Sequence, residues 1–181
     1  MSPRPLVVGV DFDNTLASYD TVVHSAALEL GLIPPETNKN KIDVRTAIRA
    51  LPGGEIEWQK LQGLVYGPRM AEATLAEGAA GFFKRTTEKD VKFCIISHKT
   101  ELANYDETGT NLRESALRWM SANGFFDPDG LNLSRKDVFF EETRAAKLNR
   151  IEQIGCTHFI DDLEEVFTEP CFPSGVTKIL Y

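Results

Sequence analysis

The segment LVVGVDFDNTL, Leu6 to Leu16, runs from an apolar stretch straight into two aspartates, Asp11 and Asp13, separated by one residue. Two carboxylates at the end of a buried strand each lose hydration and repel one another, so the pair is unfavourable without compensation. A second pair, Asp161-Asp162, ends the apolar run THFI much later in the chain. Four carboxylates from two strand ends facing one crevice require a bound cation or strongly raised pKa values. A hard divalent cation is the simplest remedy. Mg²⁺ suits such oxygen ligands, because it takes one or two protein carboxylates and completes its octahedron with water and phosphate oxygens. Ser97 is the first hydroxyl after another apolar run, VKFCIIS. Lys147 lies near the start of a helix-like segment, and helical side chains lean toward the helix N-terminus, so its ammonium can reach the same crevice. Carboxylates, a cation, a hydroxyl and a lysine together suit phosphoryl chemistry, where positioning and charge stabilisation supply most of the catalysis.

These residues need strands to carry them to one place. Five short runs rich in Val, Ile and Phe recur: LVVGV (6–10), VKFCIIS (91–97), DVFF (137–140), THFI (157–160) and VTKILY (176–181). Helix-like segments alternate with the later runs, which predicts βαβ units and an α/β, Rossmann-like parallel sheet of about five strands. Ligands of such sheets bind beyond the carboxyl ends of the strands, where the candidate residues fall. Leu112, Ala116 and Met120 recur at spacing four before Gly124, and Leu148, Ile151 and Ile154 form a stripe before Gly155, each pattern that of a helix stopped by glycine.

The first two runs are separated by far more chain than a crossover needs, so an insertion follows strand one. Within it Thr21 to Leu30, Asp43 to Leu51 and Glu55 to Tyr66 read as helices, separated by Pro34-Pro35 and Pro52-Gly53-Gly54. A further helix is expected from Ala71 to Arg85. The expected organisation is an α/β core of residues 1–17 and 71–181 with a small helical cap at 18–70.

The order of these residues resembles that of the haloacid dehalogenase superfamily. DFDNTL is similar to its first motif, in which aspartate, any residue, aspartate, any residue and threonine follow an apolar strand. Ser97, Lys147 and FIDD then stand in the order of the other three motifs, and ATLAEGAAGFFKR resembles the usual helix leading into strand two. The last motif departs from the commoner glycine-aspartate form; alignment by the preceding apolar residues favours Asp162 on the metal, with Asp161 orienting it or a metal water. The resemblance implies a Mg²⁺-dependent phosphatase of a small phosphorylated metabolite, such as a sugar phosphate or nucleotide. Asp11 would be the nucleophile, forming an aspartyl-phosphate. Asp13 would act as acid and base and bind metal through its carbonyl, Ser97 would hold a phosphate oxygen, and Lys147 would neutralise charge. The second aspartate argues against carbon–halogen chemistry. A phosphomutase or phosphotransferase using the same intermediate, or a phospho-metabolite-binding protein without turnover, are the alternatives.

Each residue also has a plainer reading. An aspartate ending a strand is commonly a turn or cap, Ser97 an ordinary strand-end hydroxyl and Lys147 a solvated helix residue; their combination in order reverses that. Lys99 competes for the lysine role, and His98 adjoins the site. His24 and His158 read as structural. Residues 36–70 carry six basic and four acidic side chains, a net of +2 in a chain of -7. Helical surface explains that excess; a substrate-selecting lid, with Arg45 and Arg49 one turn apart and Trp58 or Tyr66 free to stack, is the sharper reading.

Composition narrows the partners. A net charge of -7 and a pI near 5.0 argue against nucleic acid polymers and anionic lipid surfaces. The three cysteines are odd in number and widely spaced, so they read as reduced packing residues. The start, MSPRPLVVGV, has too short an apolar segment for a signal peptide and no run approaches a membrane span, so a cytoplasmic location is expected. The oligomeric state is left open.

Overall fold

The computed structural model describes residues 5–89, 91–106 and 108–181. Residues 1–4 of the expected 1–17 segment, and Asp90 and Glu107 of 71–181, lie outside the described residues. In chain order the elements are β1 (Val7–Val10), β2 (Ala17–Ser18), α1 (Asp20–Glu29), α2 (Lys41–Arg49), α3 (Gly54–Tyr66), β3 (Thr74–Leu75), α4 (Ala79–Glu88) and β4 (Lys92–His98). Then follow α5 (Leu112–Ala122), β5 (Val138–Glu141), α6 (Arg144–Ile154), β6 (His158–Asp161), α7 (Glu164–Thr168) and β7 (Thr177–Leu180). Short 3₁₀ turns stand at Met70–Glu72 and Arg135–Asp137.

The five apolar runs form one parallel sheet in the order β5-β4-β1-β6-β7. Strand β1 is central: Gly9 pairs with Cys94 on one side and Phe159 on the other. The chain builds outward from β1 to β4 and β5, then crosses to β6 and β7, so the end of β1 stands where the strand order reverses. Both faces of the inner strands are covered, which explains their continuous rather than alternating hydrophobicity. On one face Val7, Cys94, Ile96 and Phe159 pack with Leu148 and Ile151 of α6 and Val166 and Phe167 of α7. Elsewhere in the core Phe93, Phe83 and Phe125 meet edge to face, Phe83 lying 4.9 Å from Phe93 and 5.3 Å from Phe125. The cysteines are free; Cys94 and Cys156 are buried packing residues, as read from sequence, whereas Cys171 is exposed.

The chain divides into two compact units. The first comprises residues 1–17, 75–100 and 120–181 and contains the five-stranded sheet. The second comprises Ser18–Thr74 and Glu101–Trp119. The segment that follows β4 therefore clusters with the inserted helices rather than with the sheet on which the sequence placed it. In the second unit Val22, Ala26, Val44, Ile48, Trp58, Leu61 and Val65 are buried among α1, α2 and α3. Asn40 caps α2 by accepting from the Asp43 amide at 2.8 Å. The loop after β4 lies against α3, with Asn104 Nδ2 donating to Gln59 Oε1 at 3.2 Å, and Trp119 Nε1 donates to the Ala73 carbonyl at 2.8 Å.

One expected helix forms only in its second half. The span from Ala71 to Arg85 is a 3₁₀ turn, the short strand β3 and then α4, which starts only after Gly78 at φ +79°. Gly78 takes the left-handed conformation that glycine alone adopts freely, so the run breaks at that residue. Helices α1, α2 and α3 begin and end within two residues of their sequence-derived limits.

Candidate active site

Asp11 follows β1 directly and its amide donates to the Ile160 carbonyl at 2.9 Å, extending the β1–β6 ladder by one bond. The side-chain period of a strand places Gly9 and Asp11 on one face, and likewise Phe159 and Asp161. Phe159 packs against Leu148 and Ile151, so this is the face covered by α6. Lys147 reaches it from the first turns of α6, which Thr143 caps by accepting from the Ala146 amide at 3.1 Å. Gly155, at φ +73°, closes the helix where the sequence predicted a stop.

The result is a buried ion cluster. Lys147 Nζ lies 2.6 Å from Asp11 Oδ1 and 2.7 Å from Asp161 Oδ2. Asp161 Oδ1 accepts from the Leu163 amide at 3.0 Å. Burial pushes the Asp11 carboxyl up to about 7, with Asp161 and Asp13 adding to the rise against the lowering effect of Lys147. Burial works against the charge on Lys147, yet its two carboxylates outweigh it and hold the ammonium above its usual range. One lysine between two buried carboxylates leaves a net negative charge, and Asp162 adds to it: ligand oxygens of Asp11, Asp161 and Asp162 all lie within 4.8 Å of one another. Three hard oxygen donors against a single ammonium leave two negative charges uncompensated and fit a hard divalent cation such as Mg²⁺.

Asp13 stands apart from this trio. The chain turns tightly after Phe12, whose carbonyl accepts from the Leu16 and Ala17 amides at 3.0 Å each, and Asn14 takes φ +62° to allow it. Asparagine tolerates that conformation better than most residues. The Asp13 carboxylate meets Lys99, Nζ to Oδ2 at 2.9 Å. Sequence set Lys99 against Lys147 for one role; the structure puts both ammonium groups on aspartates, each on a different member of the first pair. Ser97 is buried near the end of β4, and its hydroxyl has no hydrogen-bond partner among the described residues. A buried hydroxyl left unsatisfied is costly, and such a group at a strand end suits a ligand oxygen. Thr15, to which the sequence reading gave no role, has an equally orphaned buried hydroxyl; its place in the DFDNTL motif was the signal that could have marked it.

His98 is exposed, with Nε2 3.1 Å from the Glu142 carbonyl, and His24 is buried with Nε2 2.9 Å from the Thr37 carbonyl. The stacking surface expected of Trp58 is absent: that side chain is buried in the second unit. Tyr66 packs edge to face on Tyr19 at 4.7 Å, with Lys41 Nζ 5.7 Å from its ring centre. Arg49 is held by Glu55 at 2.6 Å. Among the described residues no helix is long and apolar enough to cross a membrane.

No protein-family model and no curated protein matches the chain. Solved structures do. A hydrolase from Streptococcus pneumoniae TIGR4 superposes with a TM-score of 0.56 at 11% identity, covering 99% of this chain and 94% of that one. A HAD-superfamily hydrolase of subfamily IA, variant 1, from Geobacter sulfurreducens PCA gives 0.54 at 15% identity, over 98% and 87% of the two chains. A HAD family hydrolase from Deinococcus radiodurans R1, solved with bound phosphate and sodium, gives 0.53 at 15% identity, over 98% and 80%. The fold of this chain is therefore the haloacid dehalogenase-like fold that the sequence motifs predicted.

Proposed function

We propose that the protein is a Mg²⁺-dependent phosphatase that hydrolyses a small phosphorylated metabolite through an aspartyl-phosphate. The observation that carries this reading is the buried Asp11–Lys147–Asp161 cluster, with an Asp162 oxygen close by, at the end of the central strand. The phosphate in the Deinococcus hydrolase of the same fold supports it.

Asp11 would attack phosphorus, forming the Oδ–P bond as the bond from phosphorus to the leaving oxygen breaks. Asp13 would give its proton to that oxygen, then take one from the water that attacks phosphorus and frees Asp11. Ser97, with its unpartnered hydroxyl, would donate to a phosphoryl oxygen. Lys147 would offset the charge that passes from Asp11 to the transferring group. Asp11, Asp161 and Asp162, with the Asp13 carbonyl, would hold Mg²⁺, which when bound offsets negative charge and favours the ionised form of Asp11.

The test is a screen of sugar phosphates and nucleotides with added Mg²⁺, reading released phosphate for the wild type and Asp11→Asn. Release that needs Mg²⁺ and disappears in Asp11→Asn is expected. Release unaffected by EDTA or by the substitution overturns the mechanism, and transfer to a sugar acceptor in place of water assigns the protein as a mutase.

A further inference from the structure

The second buried lysine has no counterpart in the scheme above. Lys147 already meets Asp11 and Asp161, whereas Lys99 is committed to Asp13, with its side chain 2% exposed and Nζ 2.9 Å from Oδ2. Burying an ammonium is costly unless it is paired, so this lysine is not a surface charge that happens to lie near an acid. Its backbone is fixed as well. The Lys99 amide donates to the Glu141 carbonyl at 3.0 Å, one step past the His98–Glu141 pair of the β4–β5 ladder. Nζ also stands 5.7 Å from the ring centre of Phe12. That ring is fully buried and meets Phe140 of β5 edge to face at 6.4 Å.

Asp13, by contrast, stands on a turn rather than on a strand, and 18% of its side chain is exposed. A carboxyl that carries protons between an alcohol oxygen and a water must hold its place to within a fraction of an ångström. The element that can hold it is the rigid strand end beside it. We infer that Lys99 is a positioning residue for Asp13, anchored by the sheet and acting on the proton-transfer half of the reaction rather than on the phosphoryl group. The inference rests on the phosphatase reading and assigns to Asp13 a partner that the motif order does not supply.

Leaving groups separate this role from the others. An alkoxide leaves only with a proton, whereas a nitrophenolate leaves without one, so a misplaced Asp13 penalises alkyl phosphates selectively. The experiment compares kcat/KM for an alkyl phosphate and for p-nitrophenyl phosphate in wild type, Lys99→Met, Asp13→Asn and the double variant. kcat/KM reports the first phosphoryl transfer alone, so slow breakdown of the phosphoenzyme does not blur the comparison. Lys99→Met is expected to lower the alkyl value by about 10²-fold, within the range of general acid catalysis, and the aryl value far less. In the Asp13→Asn background it is expected to add almost nothing, because its effect passes through Asp13. Lys99→Arg should restore part of the alkyl rate, and it carries the same cycle should Lys99→Met fold poorly.

Equal losses on both substrates, or full additivity with Asp13→Asn, would show that Lys99 acts on the transferring group and would overturn the inference, as would no loss at all. A wild type that hydrolyses neither substrate rejects the phosphatase reading itself, and a wild type that hydrolyses both with an unchanged alkyl-to-aryl ratio in Lys99→Met rejects only the role of Lys99.

Discussion

At the residue scale the site is governed by burial of charge. Asp11 is held at about 7 in the folded chain against an ordinary value of 3.8. A raised carboxyl favours folding fully below the unfolded value, and that contribution is lost as pH rises through the folded one. Asparagine at this position does not ionise, so Asp11→Asn should gain thermal stability over wild type as pH rises from 4 to 8 without Mg²⁺, even as turnover is lost. Unfolding midpoints of the two proteins at pH 5 and pH 8 check this; a difference that does not widen would mean that Asp11 is not held protonated. Lys147→Met acts in the opposite sense, leaving two buried carboxylates without their cation. Breaking such a buried pair typically costs about 3–5 kcal/mol, so a clear fall in midpoint at pH 8 should accompany loss of activity.

At the element scale, α6 is the part that converts a sequence position into a site. Lys147 lies within the first turns after the Thr143 cap, and its own amide donates to the Thr143 carbonyl at 3.0 Å. Loss of a capping hydroxyl typically costs about 1 kcal/mol and frays the turn it holds. Thr143→Ala should therefore lower kcat while Thr143→Ser, which keeps the acceptor, should stay near wild type. Equal activity of both variants, measured well below their unfolding midpoints, would show that the cap does not set the lysine. The same scale explains why the helix expected at Ala71–Arg85 is helical only from Ala79: its alanines favour a helix, but Gly78 enters the left-handed region and the chain starts α4 after it.

At the scale of the whole molecule, the second unit has its own buried set, and Trp58 belongs to it. Trp58→Ala should thus act on stability, at about 3–5 kcal/mol for a buried aromatic, and not as the loss of a stacking surface. Of the four side chains that the sequence offered for substrate choice, Arg45 and Tyr66 are partly exposed and Arg49 is exposed. Arg45→Glu is expected to reorder natural phosphorylated substrates while changing an aryl phosphate much less. The same ranking in both proteins would remove Arg45 from that role.

The five strands, their parallel sense and the places of Asp11, Ser97, Lys147 and Asp161-Asp162 relative to those strands and to α6 were legible in the sequence because each depends on local signals: an apolar run, the residue that ends it, a helical stripe, a stopping glycine. The same signals located α1, α2 and α3 to within two residues. What they left open are pairings between residues distant along the chain. Lys99 and Lys147 look alike as lysines beside apolar segments, and only the sheet order brought one to Asp13 and the other between Asp11 and Asp161. The grouping of Glu101–Trp119 with the inserted helices and the burial of Trp58 were likewise hidden, since a helix's apolar residues do not announce which surface will cover them. Local propensity fixes where elements start and stop; which side chains share a buried volume is decided when the elements pack, because the cost of leaving a charge or an aromatic ring unpartnered is set only by the neighbours that packing supplies.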